Sequence, residues 1–129
     1  MSKRRVIEIP GLTHGNNPIP LASVVGNLLM SGAIAGQEPG NPVLPDTLAG
    51  QASLMFANVR RIMEAAGGTT DDIVKVTIYL KRGLDREPIN SEWVAMFPDP
   101  ANRPARHTVL YEPPGTFLVQ CDITAYLEN

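Results

Sequence analysis

Phe117-Leu118-Val119-Gln120-Cys121-Asp122-Ile123-Thr124-Ala125-Tyr126-Leu127 is the stretch that decides the fold. Val119, Cys121, Ile123, Ala125 and Leu127 fall on one side of an extended chain, and Gln120, Asp122 and Thr124 on the other, because a strand's side chains alternate with a period of two. The apolar side reads as packed on helices. The polar side, on a strand this apolar, reads as the lining of a cleft or an interface.

Working back from it, His107 to Tyr111 is a second strand, joined to the first through Pro113-Pro114-Gly115, a turn-forming triplet. Asn90 to Phe97 forms a short helix, with Ile89, Trp93, Val94 and Phe97 at helical spacing, and Pro98 and Pro100 break the chain after it. Ile73 to Leu80 is rich in β-branched residues and reads as a strand. The clearest helix covers Asp46 to Ala66. Leu48, Ala52, Met55, Phe56, Val59, Ile62, Met63 and Ala66 make one apolar stripe, Asp46 or Thr47 caps its start and Gly67-Gly68 ends it. Gly36 to Pro45 is loop, Leu28 to Gly32 a buried strand behind a turn or bulge at Gly26-Asn27, Thr13 to Pro20 loop, and Arg5 to Ile9 a strand. Strands and two helices in this order predict an α+β domain with both helices on one face of the sheet. The uncovered face must meet solvent or another subunit.

The bulk numbers narrow the function. A chain of 129 residues makes one domain, and 43% apolar with 19% charged residues is ordinary for a globular protein. A net charge of −2 gives no general pull toward nucleic acid or an anionic membrane. The basic start, Met1 to Arg5, is not followed by an apolar signal core, and no apolar run approaches the roughly 18 residues of a membrane span. Cys121 is alone, which excludes an internal disulfide and a cysteine-based metal site; His14 and His107 lack a helical metal-ligand spacing and read as loop or surface residues. The expectation is a cytoplasmic protein with no metal and no cofactor.

Asn102-Arg103-Pro104-Ala105-Arg106 places a guanidinium at the mouth of a strand, just after a proline. Such a fixed cation suits a small carboxylate, because its planar fork donates two parallel hydrogen bonds. Thr108 shares the face of Arg106 by alternation.

Several segments, in order and at matching separations, resemble the RidA/YjgF family of small enamine/imine deaminases, also labelled endoribonuclease L-PSP. They are Gly26 to Gly32, the helix with Gln51 that ends at Glu64-Ala65-Ala66-Gly67, Ile73 to Leu80, Ile89-Asn90-Ser91-Glu92-Trp93, Phe97, Pro104-Ala105-Arg106 and Asp122-Ile123-Thr124-Ala125. The resemblance implies a mixed six-stranded sheet with two helices on one face, like trimeric chorismate mutase, and a homotrimer with sites between subunits. It matches the family's arginine to Arg106, its catalytic glutamate to Asp122, a serine-glycine pair to Ser31 and Gly32, and a helix asparagine to Asn90. Ile19 stands where the family has a pocket tyrosine, Thr108 where it has a cysteine, and Ala33 where a glutamine often follows the serine-glycine pair. The implied activity is hydrolytic deamination of a 2-imino acid to a 2-keto acid and ammonia. Arg106 would hold the carboxylate, Asp122 would serve the water or a proton, and Ser31, Gly32, Asn90, Thr108 and Ile19 would line the pocket. A non-catalytic trimer binding small carboxylates or keto acids is the alternative. Ribonuclease activity, the family's other label, fits poorly, since the chain lacks a histidine pair, an aromatic stacking platform and positive charge.

Overall fold

The structure is a computed structural model that describes residues 3–128. Met1 and Ser2 of the basic start lie outside the described residues, as does Asn129. In chain order the elements are β1 (Arg4–Ile7), β2 (Ala22–Val25), β3 (Leu28–Ser31), β4 (Ile34–Ala35), α1 (Leu48–Ala65), a 3₁₀ turn (Thr70–Asp72), β5 (Ile73–Lys81), α2 (Glu87–Met96), β6 (Ala105–Tyr111) and β7 (Val119–Tyr126). The sheet runs β1-β2-β3-β7-β5-β6, and the two-residue β4 also pairs with β7. Among the described strands only β5 and β6 run parallel, with α2 as their crossover.

The stretch that decided the fold is the central strand. Val119, Cys121, Ile123 and Ala125 are buried, beside Val76, Ile78 and Leu80 of β5, Leu29 of β3 and Val24 of β2. The stripe of α1 (Ala52, Met55, Phe56, Val59, Ile62 and Met63) covers that face, and α2 packs against α1 with Ile89 and Trp93 inward. The expected α+β architecture, with a mixed sheet and two helices, is what the chain adopts. Thr47 caps α1 by accepting the Gly50 amide at 3.1 Å. At its other end Gly67, at φ +85°, lets the Gly68 amide reach back to the Met63 carbonyl.

Several boundaries differ from the sequence reading. The second helix starts at Glu87 rather than Asn90. Pro88 fits its first turn, where the missing amide has no intrahelical partner to lose. The last strand starts at Val119; Phe117 and Leu118 lie between the turn at Gly115 and Thr116 and the strand, and the Leu118 amide is held by Gln51 instead of a strand partner. Leu28 to Gly32, read as a buried strand, is buried on one face only. Leu29 is enclosed, whereas Leu28 and Met30 are exposed on the face that no helix covers. An apolar run without alternation cannot separate those two cases.

Gln51 and Asn58 of α1 are polar yet buried, and both are satisfied. Gln51 Nε2 donates to the carbonyls of Pro45 and Thr116, and its Oε1 accepts the Leu118 amide, all at 2.9 Å. Asn58 Nδ2 donates to Ala35 and Gln37, and its Oδ1 accepts from Arg61. Gly36 lies so close to the backbone of Gln51 that no Cβ fits between them.

Candidate functional site

Strand pairing fixes which side chains can meet. Arg106 is paired with Val76, and Val76 with Ile123, so Arg106 leaves the sheet on the helix-covered face, with Thr108 beside it. Its guanidinium lies over the ring of Trp93, 5.1 Å from the centroid, a cation–π arrangement. Nη2 donates to Asn90 Oδ1 at 2.7 Å. Asn90 and Trp93 are three apart on α2 and therefore share a helix face. Burial, and secondarily the charge of Arg86, hold the Arg106 guanidinium below its ordinary pKa, yet an arginine stays charged there. Among the described residues it has no carboxylate partner, whereas Arg82 meets Glu112 in an ion pair on the surface.

Asp122 leaves the other face. It is paired with Thr77, which is paired with His107. Tyr79 donates its hydroxyl to Asp122 Oδ2 at 3.0 Å, and that bond, with desolvation behind it, pushes the Tyr79 phenol up. Tyr111 stands edge-on to Tyr79 and donates to Gln120 Oε1 at 2.8 Å. The uncovered face therefore carries a tyrosine–carboxylate pair and a tyrosine–amide pair side by side. At its other end it is apolar, with exposed Val6, Val25, Leu28, Met30 and Tyr126.

The remaining candidates lie apart from both clusters. Ser31 donates to the Gly32 carbonyl at 2.8 Å and accepts the Ile123 amide at 2.9 Å, so its hydroxyl ties β3 to β7. The Gly32 amide donates to the Leu21 carbonyl, and a Cβ at Gly32 would meet nothing closer than 3.8 Å. Ile19 is 53% exposed on a shallow recess with Val6, His14, Pro18 and Pro20. Within one chain the structure thus brings together Arg106, Asn90 and Thr108. It leaves Ser31, Gly32 and Ile19 near the first hairpin and Asp122 across the sheet.

Two residues carry more than the sequence reading gave them. Trp93 was read as an apolar helix position and as the end of a segment that carries the resemblance, with no site role of its own, although its spacing of three from Asn90 was visible. His14, read as loop, is half-buried, and its Nε2 lies 2.8 Å from the Ala33 carbonyl. Because a carbonyl only accepts, Nε2 carries the proton, and among the described residues the buried Nδ1 has no partner. His14 borders a cavity of about 310 Å³ with Leu12, Ala33, Ile62, Phe117 and Gln120, which none of the sequence-predicted site residues lines. Among the described residues, no three His, Cys, Asp or Glu side chains converge as metal ligands would, and no helix is long and apolar enough to cross a membrane.

Comparison with known proteins identifies the family. The family model described as Endoribonuclease L-PSP matches residues 21–126. A protein of Dermatophagoides farinae named 2-iminobutanoate/2-iminopropanoate deaminase is 32% identical over 110 residues, 84% of each chain. An Escherichia coli K12 protein of the same name is 37% identical over 89 residues, 66% of this chain and 67% of that one. Among solved structures, RidA from an Antarctic Psychrobacter superposes with a TM-score of 0.85 at 27% identity, covering 95% of this chain and 99% of its own. The E. coli YjgF gene product gives 0.84 at 25%, covering 96% and 99%. With a family match across most of its length and relatives above 30% identity over most of theirs, the chain belongs to the RidA/YjgF family, the endoribonuclease L-PSP family of the matching model.

Proposed function

We propose that this protein is a hydrolytic deaminase of small 2-imino acids, giving a 2-keto acid and ammonia. The observation that carries the reading is Arg106, a half-buried cation that rests on Trp93 and is oriented by Asn90, with no carboxylate partner among the described residues. A partly desolvated charge without a counter-ion is costly, and a substrate carboxylate relieves that cost. Asn90 takes one of the two Nη2 hydrogens, leaving one complete two-donor edge of the guanidinium for the anion.

The imine carbon is already electrophilic, so the reaction needs no metal or organic cofactor. Water adds to the C=N carbon, the nitrogen takes up a proton, and the carbinolamine expels ammonia as its hydroxyl loses a proton. Asp122 orients that water or moves that proton, with Tyr79 fixing one of its oxygens. Because Arg106 and Asp122 leave opposite faces of one sheet, the Asp122 that serves a given Arg106 belongs to a neighbouring copy. The assembly is a homotrimer whose copies cover the apolar end of the open face and pair beside the unpaired outer edge of β6. Ser31, Gly32, Ile19 and Thr108 then line the cleft between copies, in the cytoplasm. The names of the D. farinae and E. coli relatives support the reaction class.

The test is ammonia release from a panel of 2-imino acids made in situ, with and without enzyme. Acceleration for small aliphatic imino acids is expected, and its absence across the panel removes the proposal. A specific observation favours a second reading, a carboxylate-binding sensor. The Ser31 hydroxyl and Gly32 amide are already bonded within the chain, and Asp122 is already bonded to Tyr79. Keto-acid binding without turnover would select that reading.

Trp93 supplies a further expectation. Trp93→Leu removes the aromatic face under Arg106 and should raise KM by about tenfold, since cation–π contacts are worth roughly 1–2 kcal/mol when partly desolvated. Trp93→Phe should recover most of that loss, and kcat should move less than KM in both. Equal effects of Phe and Leu would show that Trp93 matters only as packing.

A further inference from the structure

We propose that the anion site takes a substrate with two negative groups, Arg106 holding one carboxylate and Arg86 receiving the second. The inference rests on Arg106 being the carboxylate clamp and adds the substrate class.

Arg86 is the N-cap of α2, and its carbonyl accepts the Asn90 amide at 2.9 Å, the four-residue bond of a helix. Residues four and seven apart on a helix share a face. Arg86, Asn90 and Trp93 therefore form one ladder, and the two upper rungs are already on Arg106, by hydrogen bond and by ring. The lowest rung sits one turn closer to the helix start, where a side chain leans outward over the N-terminal end.

The charges agree with that placement. The carboxylate next to Arg86 in sequence, Asp85, caps the helix by accepting the Glu87 amide at 3.0 Å. Neither Arg86 nor Arg106 has a carboxylate partner among the described residues. The field of Arg86 is felt at Arg106, second only to burial among the influences on that guanidinium. Two guanidinium groups that act on one another without an anion between them lower stability, and perturbed charges of this kind cluster at functional sites. A monocarboxylate answers one of the two charges; a dicarboxylate answers both, with its imino or keto carbon carried between them.

The test is calorimetric binding of two keto acids, 2-oxoglutarate and 2-oxobutanoate, at low ionic strength. The dicarboxylate should bind about tenfold tighter, as one added charge contact worth roughly 1.4 kcal/mol predicts. Arg86→Gln should bring the ratio of the two affinities close to one. Arg82→Gln removes an equal charge at the far end of β6, where its backbone amide meets Tyr111, and should leave the ratio in place. Equal affinities in the wild type, no binding of either acid, or a ratio that Arg86→Gln does not change overturns the inference. Ammonia release measured in parallel separates this inference from the proposed reaction. A tenfold ratio without turnover keeps the dicarboxylate site and removes the deaminase, whereas turnover with equal affinities does the reverse.

Discussion

Chains carrying Arg106→Ala and chains carrying Asp122→Ala, each with its activity reduced by about 100-fold or more, should regain about a third of the wild-type rate when co-assembled, because in a mixed ring of three copies one site in three pairs an intact Arg106 with an intact Asp122 from the next chain. The prediction follows from strand register alone. Val76 aligns Arg106 with the helix-covered face, and Thr77, one residue on, aligns Asp122 with the open face. Two side chains on opposite faces of one sheet cannot attend to the same small molecule. The experiment needs two purification tags, so that only mixed assemblies are assayed. No recovery in assemblies shown to be mixed would mean that the two residues do not cooperate between copies. A folded Asp122→Ala protein with full activity alone would remove that carboxylate from the chemistry while leaving the Arg106 clamp standing.

Replacing Gly36 with alanine should be the most damaging single-methyl change in the chain, lowering stability by about 4 kcal/mol, a large part of what a domain this size possesses. Gly36 is buried against the first turn of α1, and an added Cβ would collide with the carbonyl carbon, oxygen and Cα of Gln51, all backbone atoms. Relief requires α1 to retreat. A retreat pulls Gln51 from Pro45, Thr116 and Leu118 and strands buried polar groups, each costing about 1–3 kcal/mol. Gly67→Ala is the contrast. Gly67 sits at φ +85° with open space around its Cα, so the cost there is backbone strain alone, about 1 kcal/mol. Denaturant midpoints of the two variants measure the difference. Similar midpoints would show that α1 yields easily and that the close approach at Gly36 is unimportant.

The fold was legible because the alternation of residues 119–127 and the stripe of α1 are strong, local and consistent with one another. Helix ends with a glycine or a threonine cap were legible for the same reason. What escaped the sequence was geometry that depends on pairing partners. Leu28 and Met30 look as buried as Leu29 until the sheet shows which face α1 covers. Arg106 and Asp122 look like natural partners until the register separates them. Asn90 was legible as a member of the Arg106 cluster through family resemblance, while Trp93 and Arg86 at its flanks were not singled out. Their helical spacing was on view, but nothing in a linear sequence says which strand residue that helix face will meet. The half-buried His14 was missed because its burial comes from the Ala33 segment and α1, neither of which its own loop announces.

The position of β7 has one more consequence. It is the last of this sheet's described strands in chain order, yet it lies in the middle of the sheet, between β3 and β5. Until it emerges, the chain can make two local pieces, the β1-β2-β3 meander, with β3 (Leu28–Ser31) as an unpaired edge, and the β5-α2-β6 crossover, with β5 (Ile73–Lys81) as a longer one. Nascent and truncated chains therefore expose two sticky borders at once, which are templates for aggregation. Folding closes with a late, non-local insertion that sets its speed. A chaperone that shields the edges of β3 and β5 would act on the one stretch of synthesis at which this protein is vulnerable.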